Sequence, residues 1–547
     1  MAVTQGSTGT EPITFEREPS AYRHWVLDLD APLARLRMAV DPEAGLLGDY
    51  ELKLKSYDIG VDIELADIVR RLRFEHPEIR CVVLDSAVEG VFCAGANIRM
   101  LAGADHAHKV NFCKFTNETR LEFEEASADS GLRFLAAING ACSGGGYELA
   151  MACDHLLLVD DRSSAVSLPE VPLLGVLPGT GGLTRLIDKR GVRRDHADVF
   201  ATRAEGVQGA EAMRWRLVDE VAPPSTFADA VTERALAMAA TSDRDPGAEP
   251  VVLEPLQRHV GDDAVAYTHV TATLDRSGRT VRVDVRAAGG PDWPLSVARE
   301  LDDLLCHLRF NEPELGTLVL RTSGEVADVL AHDRALVAPA THGERETALL
   351  WKRVLSRLDL TARSIIATIE PGSCFAGILA ELALAADRSY MLEGIFEDDD
   401  DPEPAATLVV TGVSDGPMPM ANGLTRLQSR FWGHDDAVEA VRDRLGEALS
   451  AGDAADLELV TETPDDLDWD DEVRLAIEER ASYSPDALTG MEANHRFCGP
   501  ETMATKIFSR LSAWQNWIFI RPNASGPDGA LQRYGTGSRA AFDHART

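Results

Sequence analysis

The sequence is short of positive charge. Lysine occurs at only seven of 547 positions (53, 55, 109, 114, 189, 352 and 506). In all, 54 Lys and Arg face 90 Asp and Glu, a formal charge of −36. A field of that sign repels polyphosphate at long range, which excludes nucleic acid and anionic membrane surfaces as partners. An anionic small molecule must then be gripped by local donors. No run approaches the roughly 18 apolar residues that a membrane-spanning helix needs. The opening stretch Met1-Ala-Val-Thr-Gln-Gly-Ser has neither a basic nor an apolar segment, so no secretory leader is expected. The eight cysteines form no C-x-x-C pair and mostly sit in apolar stretches. Reduced, buried thiols and a cytoplasmic location are the expectation. Metal-ligand spacings are missing too. The nearest, His106-Ala-His108, reads as part of a polar loop, and neither a metal nor another cofactor is expected.

What is present is length, an ordinary apolar share of 45% and an internal repeat. The length points to two or three domains. Trp25-Val-Leu-Asp-Leu and the stretch 34–40 read as short strands, and 61–74 places apolar residues on one helical face. Strands at 80–85 and 135–139 each enter a glycine-containing loop and then a helix, so the class is α/β. Leu72-Arg-Phe-Glu-His-Pro-Glu78 is answered by Leu308-Arg-Phe-Asn-Glu-Pro-Glu314. Glu148-Leu-Ala-Met-Ala-Cys-Asp154 is answered by Glu381-Leu-Ala-Leu-Ala-Ala-Asp387, and Gly182-Leu-Thr-Arg-Leu186 recurs unchanged at 423–427. The order and the near-constant spacing make the chain a tandem duplication of one α/β unit. Residues 1–240 are expected to form the catalytic domain, 251–465 a second, degenerate copy, and 466–547 a C-terminal helical segment. The breaker-rich stretch 241–250 is the linker. Glu397-Asp-Asp-Asp-Asp-Pro-Glu-Pro404 reads as a solvated acidic insertion. Trp514, Trp517 and Phe519 suggest that the tail docks on the domains or on a partner subunit.

Chemistry gathers in the first copy. Val91-Phe-Cys-Ala-Gly-Ala-Asn97 is small enough to let backbone approach a ligand, and Asn97 suits the cap of the next helix. Ser143-Gly-Gly-Gly-Tyr-Glu-Leu-Ala150 opens a helix, where unpaired N–H groups point outward. Two such groups converging on one carbonyl oxygen make an oxyanion hole. Gly144-Gly-Gly146 alone fits a tight turn equally well. A phosphate cradle is disfavoured, because the G-K-[ST] ending and the G-x-G-x-x-G spacing are both missing. Glu148 stands in an otherwise apolar first turn, where it could also cap the helix. Glu170 lies between prolines in Ser167-Leu-Pro-Glu-Val-Pro-Leu-Leu174, a setting that also suits a surface turn. Placed together in a partly desolvated pocket, the two carboxyls would hold displaced pKa values and move protons of water. Lys53, Lys55 and Arg99 are candidate contacts for an anionic substrate.

Phe92-Cys-Ala-Gly-Ala-Asn97, Asn139-Gly through Gly144-Gly-Gly-Tyr-Glu148, Leu168-Pro-Glu170 and Pro178-Gly-Thr-Gly-Gly-Leu-Thr-Arg-Leu186 resemble successive signatures of the crotonase (enoyl-CoA hydratase/isomerase) superfamily. That resemblance implies a ββα spiral that binds an acyl-CoA thioester. It makes Ala96 and Gly145 the oxyanion-hole N–H donors, and Glu148 and Glu170 the acid–base pair. Asn97 replaces the commoner Asp, which affects a cap. The stretch 52–60, the second copy and the tail 516–526 are similar to a long branch of that superfamily. This similarity implies hydrolytic, non-oxygenolytic cleavage of 2,3-epoxybenzoyl-CoA to 3,4-dehydroadipyl-CoA semialdehyde and formate, as part of aerobic benzoate degradation. Coenzyme A enters only as part of the substrate. An enoyl-CoA hydratase/isomerase with an appended inert domain, and a non-catalytic acyl-CoA-binding protein, are the alternatives. The second copy reads as catalytically empty. Phe375-Ala-Gly-Ile378 replaces the glycine triplet, and Thr411 falls opposite Glu170. A role as scaffold or as part of a homodimer is expected for it.

Overall fold

The computed structural model describes residues 12–47, 50–88, 90–397 and 402–547. Residues 398–401 of the acidic insertion lie outside the described residues. The chain folds as two compact units. The first comprises Phe15–Pro255 with Thr341–Glu346, and the second is built on Leu256–Ala340 and Thr347–Thr547.

The first unit opens with the hairpin β1 (Trp25–Asp30) and β2 (Leu33–Met38), paired antiparallel from Trp25 opposite Met38 to Asp30 opposite Leu33. Helix α1 (Ile59–Phe74) follows, with Asp58 as its cap and Ile59, Val61, Ile63, Leu65, Ile68, Val69 and Leu72 all buried. The sheet then grows by parallel addition of β3 (Cys81–Ser86), β5 (Arg133–Ile138), β7 (His155–Val159) and β9 (Glu220–Ala222). Strand β3 is buried along its whole length, and β5 nearly so, as expected of a parallel sheet covered on both faces. Between β3 and β5 lie helices α2 (Ile98–Gly103) and α3 (His106–Asp129). Phe123 of α3 stacks on Phe134 of β5 with ring centroids 4.4 Å apart.

The two glycine-containing segments are not simple loops. Val91-Phe-Cys93 belongs to β4 (Gly90–Cys93), and the stretch ahead of the glycine triplet forms β6 (Gly140–Ser143). With β8 (Val166–Ser167) they make a separate three-stranded parallel sheet, in the order β4-β6-β8. Small residues that suggest loops in sequence serve close strand approach here. A Cβ on Gly140 would lie 2.3 Å from the backbone of Gly90 and Val91. Strand β6 feeds helix α4 (Gly145–Ala152), and β8 runs on toward the short helix α5 (Glu170–Leu174).

The second unit repeats the plan. Strands β10 (His259–Val260), β11 (Ala264–Ala266), β12 (Val270–Asp275) and β13 (Thr280–Arg286) pair antiparallel. Strands β14 (Thr317–Ser323), β15 (Ser364–Ile369) and β16 (Arg388–Met391) then add in parallel. Helix Trp293–Asn311 takes the place of α1, and Gly377–Leu384 that of α4. The small sheet has shrunk to isolated bridges such as Ala376 with Val409. Residues after 466 form part of this unit and include helices Trp469–Ser482, Pro485–Arg496 and Ser512–Phe519. Trp514 and Trp517 are half-buried and meet edge to face at 5.5 Å, whereas Phe519 is exposed. All eight cysteines carry free thiols. Among the described residues, no helix is long and apolar enough to cross a membrane.

Phe134 is fully enclosed between α3 and the central sheet, so its loss opens a cavity that its neighbours cannot fill. Phe134→Ala is expected to lower the stability of the first unit by about 3–5 kcal/mol. Urea unfolding followed by a probe in that unit checks this. A change below about 1 kcal/mol would contradict the packing described.

Candidate active site

Four of the residues singled out in sequence come together. Ala96, Gly145, Glu148 and Glu170 line one cavity of about 570 Å³. Its wall is largely apolar, with Ile98, Leu101, Phe112, Leu173 and Leu177 among the lining residues. Polar groups are few and convergent, as in small-molecule sites generally.

The local backbone explains the convergence. Asn97 caps α2 through a 3.0 Å bond from the Met100 N–H, which sets the chain direction after Ala96. Tyr57 bridges the same turn: its N–H donates to Gly95 O, and the Asn97 N–H donates back to Tyr57 O. The Ala96 N–H thus points away from that pairing and donates to no backbone carbonyl among the described residues. Gly145 is the first residue of α4, so its N–H has no partner within the helix. The two turns touch. A Cβ on Gly95 would lie 2.8 Å from the Gly145 nitrogen, and one on Gly145 would lie 3.4 Å from the Ala96 nitrogen. Arg120 of α3 tethers the glycine turn through a 3.2 Å bond to Gly145 O.

Each carboxyl is held differently. Glu148 is buried, and its carboxylate accepts from the N–H groups of Thr180 at 2.9 Å and Gly182 at 2.7 Å. The Thr180 hydroxyl donates to its other oxygen. Those three donors belong to a distant loop, so Glu148 does not cap its own helix. They fix the carboxylate's orientation and leave it an acceptor. Glu170 is half-buried, and its Oε2 is a buried atom with no hydrogen-bond partner. Its approach depends on Gly144, which has φ of +53°, and where a Cβ would sit 2.5 Å from Glu170 Oε1. Burial pushes the Glu170 carboxyl up to about 7, and the nearby charge of Glu148 adds to the rise. Glu170 therefore keeps a proton close to neutral pH, and it is not a surface turn residue.

The remaining candidates are placed apart. Lys53 and Arg99 line a smaller cleft of about 240 Å³ that shares Ala94, Ala96 and Ile98 with the main cavity. Lys53 also pairs with Glu51 at 2.6 Å. Lys55 lines neither space; its ammonium donates to Val40 O at 2.9 Å. Sequence reasoning assigned no role to Thr180, Lys109 or Arg120, all of which line the main cavity. Thr180 lies within a quoted motif, but its contact with Glu148 spans 32 residues and no spacing rule reaches that far. Among the described residues, no group of three or more His, Cys, Asp or Glu is placed to hold a metal ion.

The second unit keeps the position of the first carboxyl and changes its partner. Glu381 is buried and receives a 2.7 Å bond from Arg426 Nη1, while the same guanidinium binds Asp359 through Nε at 3.2 Å and Nη2 at 2.6 Å. In the first unit the matching Arg185 turns instead to Glu124, at 2.8 and 2.9 Å. Thr411 caps a short helix, with its hydroxyl accepting from the Val413 N–H at 3.3 Å.

Comparison with known proteins shows the family. Residues 60–259 match the enoyl-CoA hydratase/isomerase family. The chain is 53% identical over 551 residues to benzoyl-CoA-dihydrodiol lyase of Aromatoleum evansii, covering 98% of each protein. It is 34% identical over 183 residues to the fatty acid oxidation complex subunit alpha of Idiomarina loihiensis, covering 34% of this chain and 25% of that one. Among solved structures, an enoyl-CoA hydratase of Geobacillus kaustophilus is 30% identical, with a TM-score of 0.35, over 40% of this chain and 75% of that one. One from Bacillus anthracis is 25% identical, with a TM-score of 0.34, over 40% and 77%. Identity of 53% that runs through both units makes the chain a member of the benzoyl-CoA-dihydrodiol lyase family within the crotonase superfamily.

Proposed function

We infer that the chain is a CoA-thioester lyase of benzoate degradation that opens an aromatic-derived ring without oxygen. The observation that carries this reading is the end-to-end identity with benzoyl-CoA-dihydrodiol lyase. In the finer form proposed here, 2,3-epoxybenzoyl-CoA and two waters yield 3,4-dehydroadipyl-CoA semialdehyde and formate.

The residues divide the work as follows. The amides of Ala96 and Gly145 hold the thioester oxygen as negative charge develops on it, at about 3–4 kcal/mol per donor. The apolar wall seats the ring and excludes bulk water. Glu170, protonated up to about pH 7, gives a proton to the epoxide oxygen. Glu148, held as an acceptor by Thr180 and Gly182, takes a proton from the attacking water. Well-placed proton transfer of this kind contributes about 10²–10⁴-fold. Lys53 and Arg99, in the cleft beside Ala96, are proposed contacts for the CoA phosphates. The second unit carries no reaction, because Glu381 is consumed by an ion pair. Eight free thiols support a reducing, cytoplasmic setting. A homodimer is proposed, with the duplicated unit taking the place of a neighbouring subunit.

Glu148→Gln and Glu170→Gln are each expected to cut formate release from 2,3-epoxybenzoyl-CoA by about 10²-fold or more. Each variant should still bind one CoA ester per chain by calorimetry. Wild-type turnover in either would end the two-carboxylate reading, and two esters per chain would end the assignment of chemistry to the first unit. Rapid hydration of crotonyl-CoA without formate from the epoxide would favour a plain hydratase, consistent with the match confined to residues 60–259.

The pH dependence has a definite sign. A proton held until about pH 7 is available for donation below that pH, so the acid role of Glu170 fades as pH rises through it. NMR of ¹³C-labelled glutamate should give a Glu170 midpoint near 7. In Glu148→Gln the midpoint should fall, because one of the two raising causes is removed. A midpoint that stays or rises would show that Glu148 does not act on Glu170.

A further inference from the structure

The second unit contains a cleft of about 320 Å³ that the proposed reaction does not use. Arg426, Arg430, Arg480 and Arg496 line it, with the carboxylates Asp359, Asp387 and Glu492. Three of the four guanidiniums have partners. Arg426 holds Asp359 and Glu381. Arg496 binds both oxygens of Asp387, at 2.9 and 2.6 Å. Arg480 reaches Glu492 at 3.4 Å, and its Nε remains buried without a partner.

Arg430 is the exception. Among the described residues its side chain makes no hydrogen bond or ion pair, and its Nε is a fully buried atom without a partner. Burial depresses the guanidinium below its ordinary range, and no carboxylate opposes the effect. Arg430 is half-buried as a whole, and the nearby carboxylates are already spent on other arginines, so its Nε finds no acceptor in the protein.

The duplication supplies an internal control. Counted from the shared Gly-Leu-Thr-Arg-Leu motif, Arg430 matches Lys189. Lys189 is satisfied: its ammonium donates to Glu124 at 2.9 Å and to Ala152 O at 2.8 Å. It sits on a π-helical turn, Arg185–Lys189, whose wider winding carries it to both acceptors. In the second unit the matching residues Arg426–Arg430 form an ordinary α-helical turn, and the hydrogen bonds to the Asp359 carboxylate come from Arg426. The copy has thus kept a cation, exchanged lysine for a forked donor and lost its protein acceptor.

We propose that this cleft binds a small oxyanion, a carboxylate or a phosphate, gripped by the guanidinium of Arg430 with that of Arg480 beside it. The planar guanidinium suits two parallel bonds to either group, and the strongly negative chain makes capture depend on this local arrangement. His495 and Ser429 also line the cleft.

Crystals of the full chain soaked in tungstate should show an anomalous peak between Arg430 and Arg480. In solution, calorimetry with inorganic phosphate and with acetate distinguishes the two anion classes by which one binds more tightly. Arg430→Met should weaken the preferred anion about tenfold or more, and Arg430→Lys should retain part of the affinity. A tungstate peak only in the first-unit cavity, or none, would overturn the proposal, as would unchanged affinity in Arg430→Met. If the methionine variant does not fold, the wild-type soak and the lysine variant decide the matter.

Discussion

Two strand-to-helix turns meet through bare backbone at Gly95 and Gly145, and the rest of the first unit is arranged to allow it. A side-chain carbon at Gly95 would press to 2.8 Å from the Gly145 nitrogen, so the contact exists only without one. The small sheet β4-β6-β8 is what brings the turns side by side, since each of the first two strands runs straight into one of them. Behind the triplet, a Cβ on Gly146 would meet Cys93 at 2.5 Å, which seats helix α4 against the end of β4. Ahead of it, Gly144 leaves room for Glu170. Gly95, Gly144 and Gly146 therefore answer three separate close approaches, and the two unpaired amides follow from the same geometry.

Much of this was legible in the sequence. The alternation of strands and helices and the duplication follow from local pattern, because each signal is contained within a few residues or repeated intact, whereas the pairing of Glu148 with Glu170 comes from the family resemblance. The small three-stranded sheet was not legible. Its strands are short and rich in glycine, alanine and cysteine, which suggest loops when read alone, and only pairing with distant segments makes them strands. Thr180 was hidden for a related reason. Its value lies in a hydrogen bond to a residue 32 positions away, and nothing in Pro178-Gly-Thr-Gly-Gly announces that partner. Lys55 shows the converse: a cation attractive in sequence is spent on the carbonyl of Val40.

The two units also show how far topology and electrostatics can part. The parallel core of the main sheet and the matched helices are preserved, and both Glu148 and Glu381 are buried. What differs is who answers the carboxylate. In the first unit neutral donors orient it without cancelling its charge, and the nearby arginine is occupied by Glu124. In the second, the guanidinium of Arg426 lies directly on Glu381.

That ion pair has a consequence for what could be rebuilt in the second unit. A duplicate that has merely lost a catalytic residue can regain it by a single reversion. Here the replacement has become part of the core, since Arg426 neutralises two buried acids at once. Returning glycines to Phe375–Ile378 would leave Glu381 still bound, and removing Arg426 would strand Asp359 and Glu381 at a cost of about 3–5 kcal/mol. Arg426 thus serves the core of the second unit, and no change at Glu381 is independent of it.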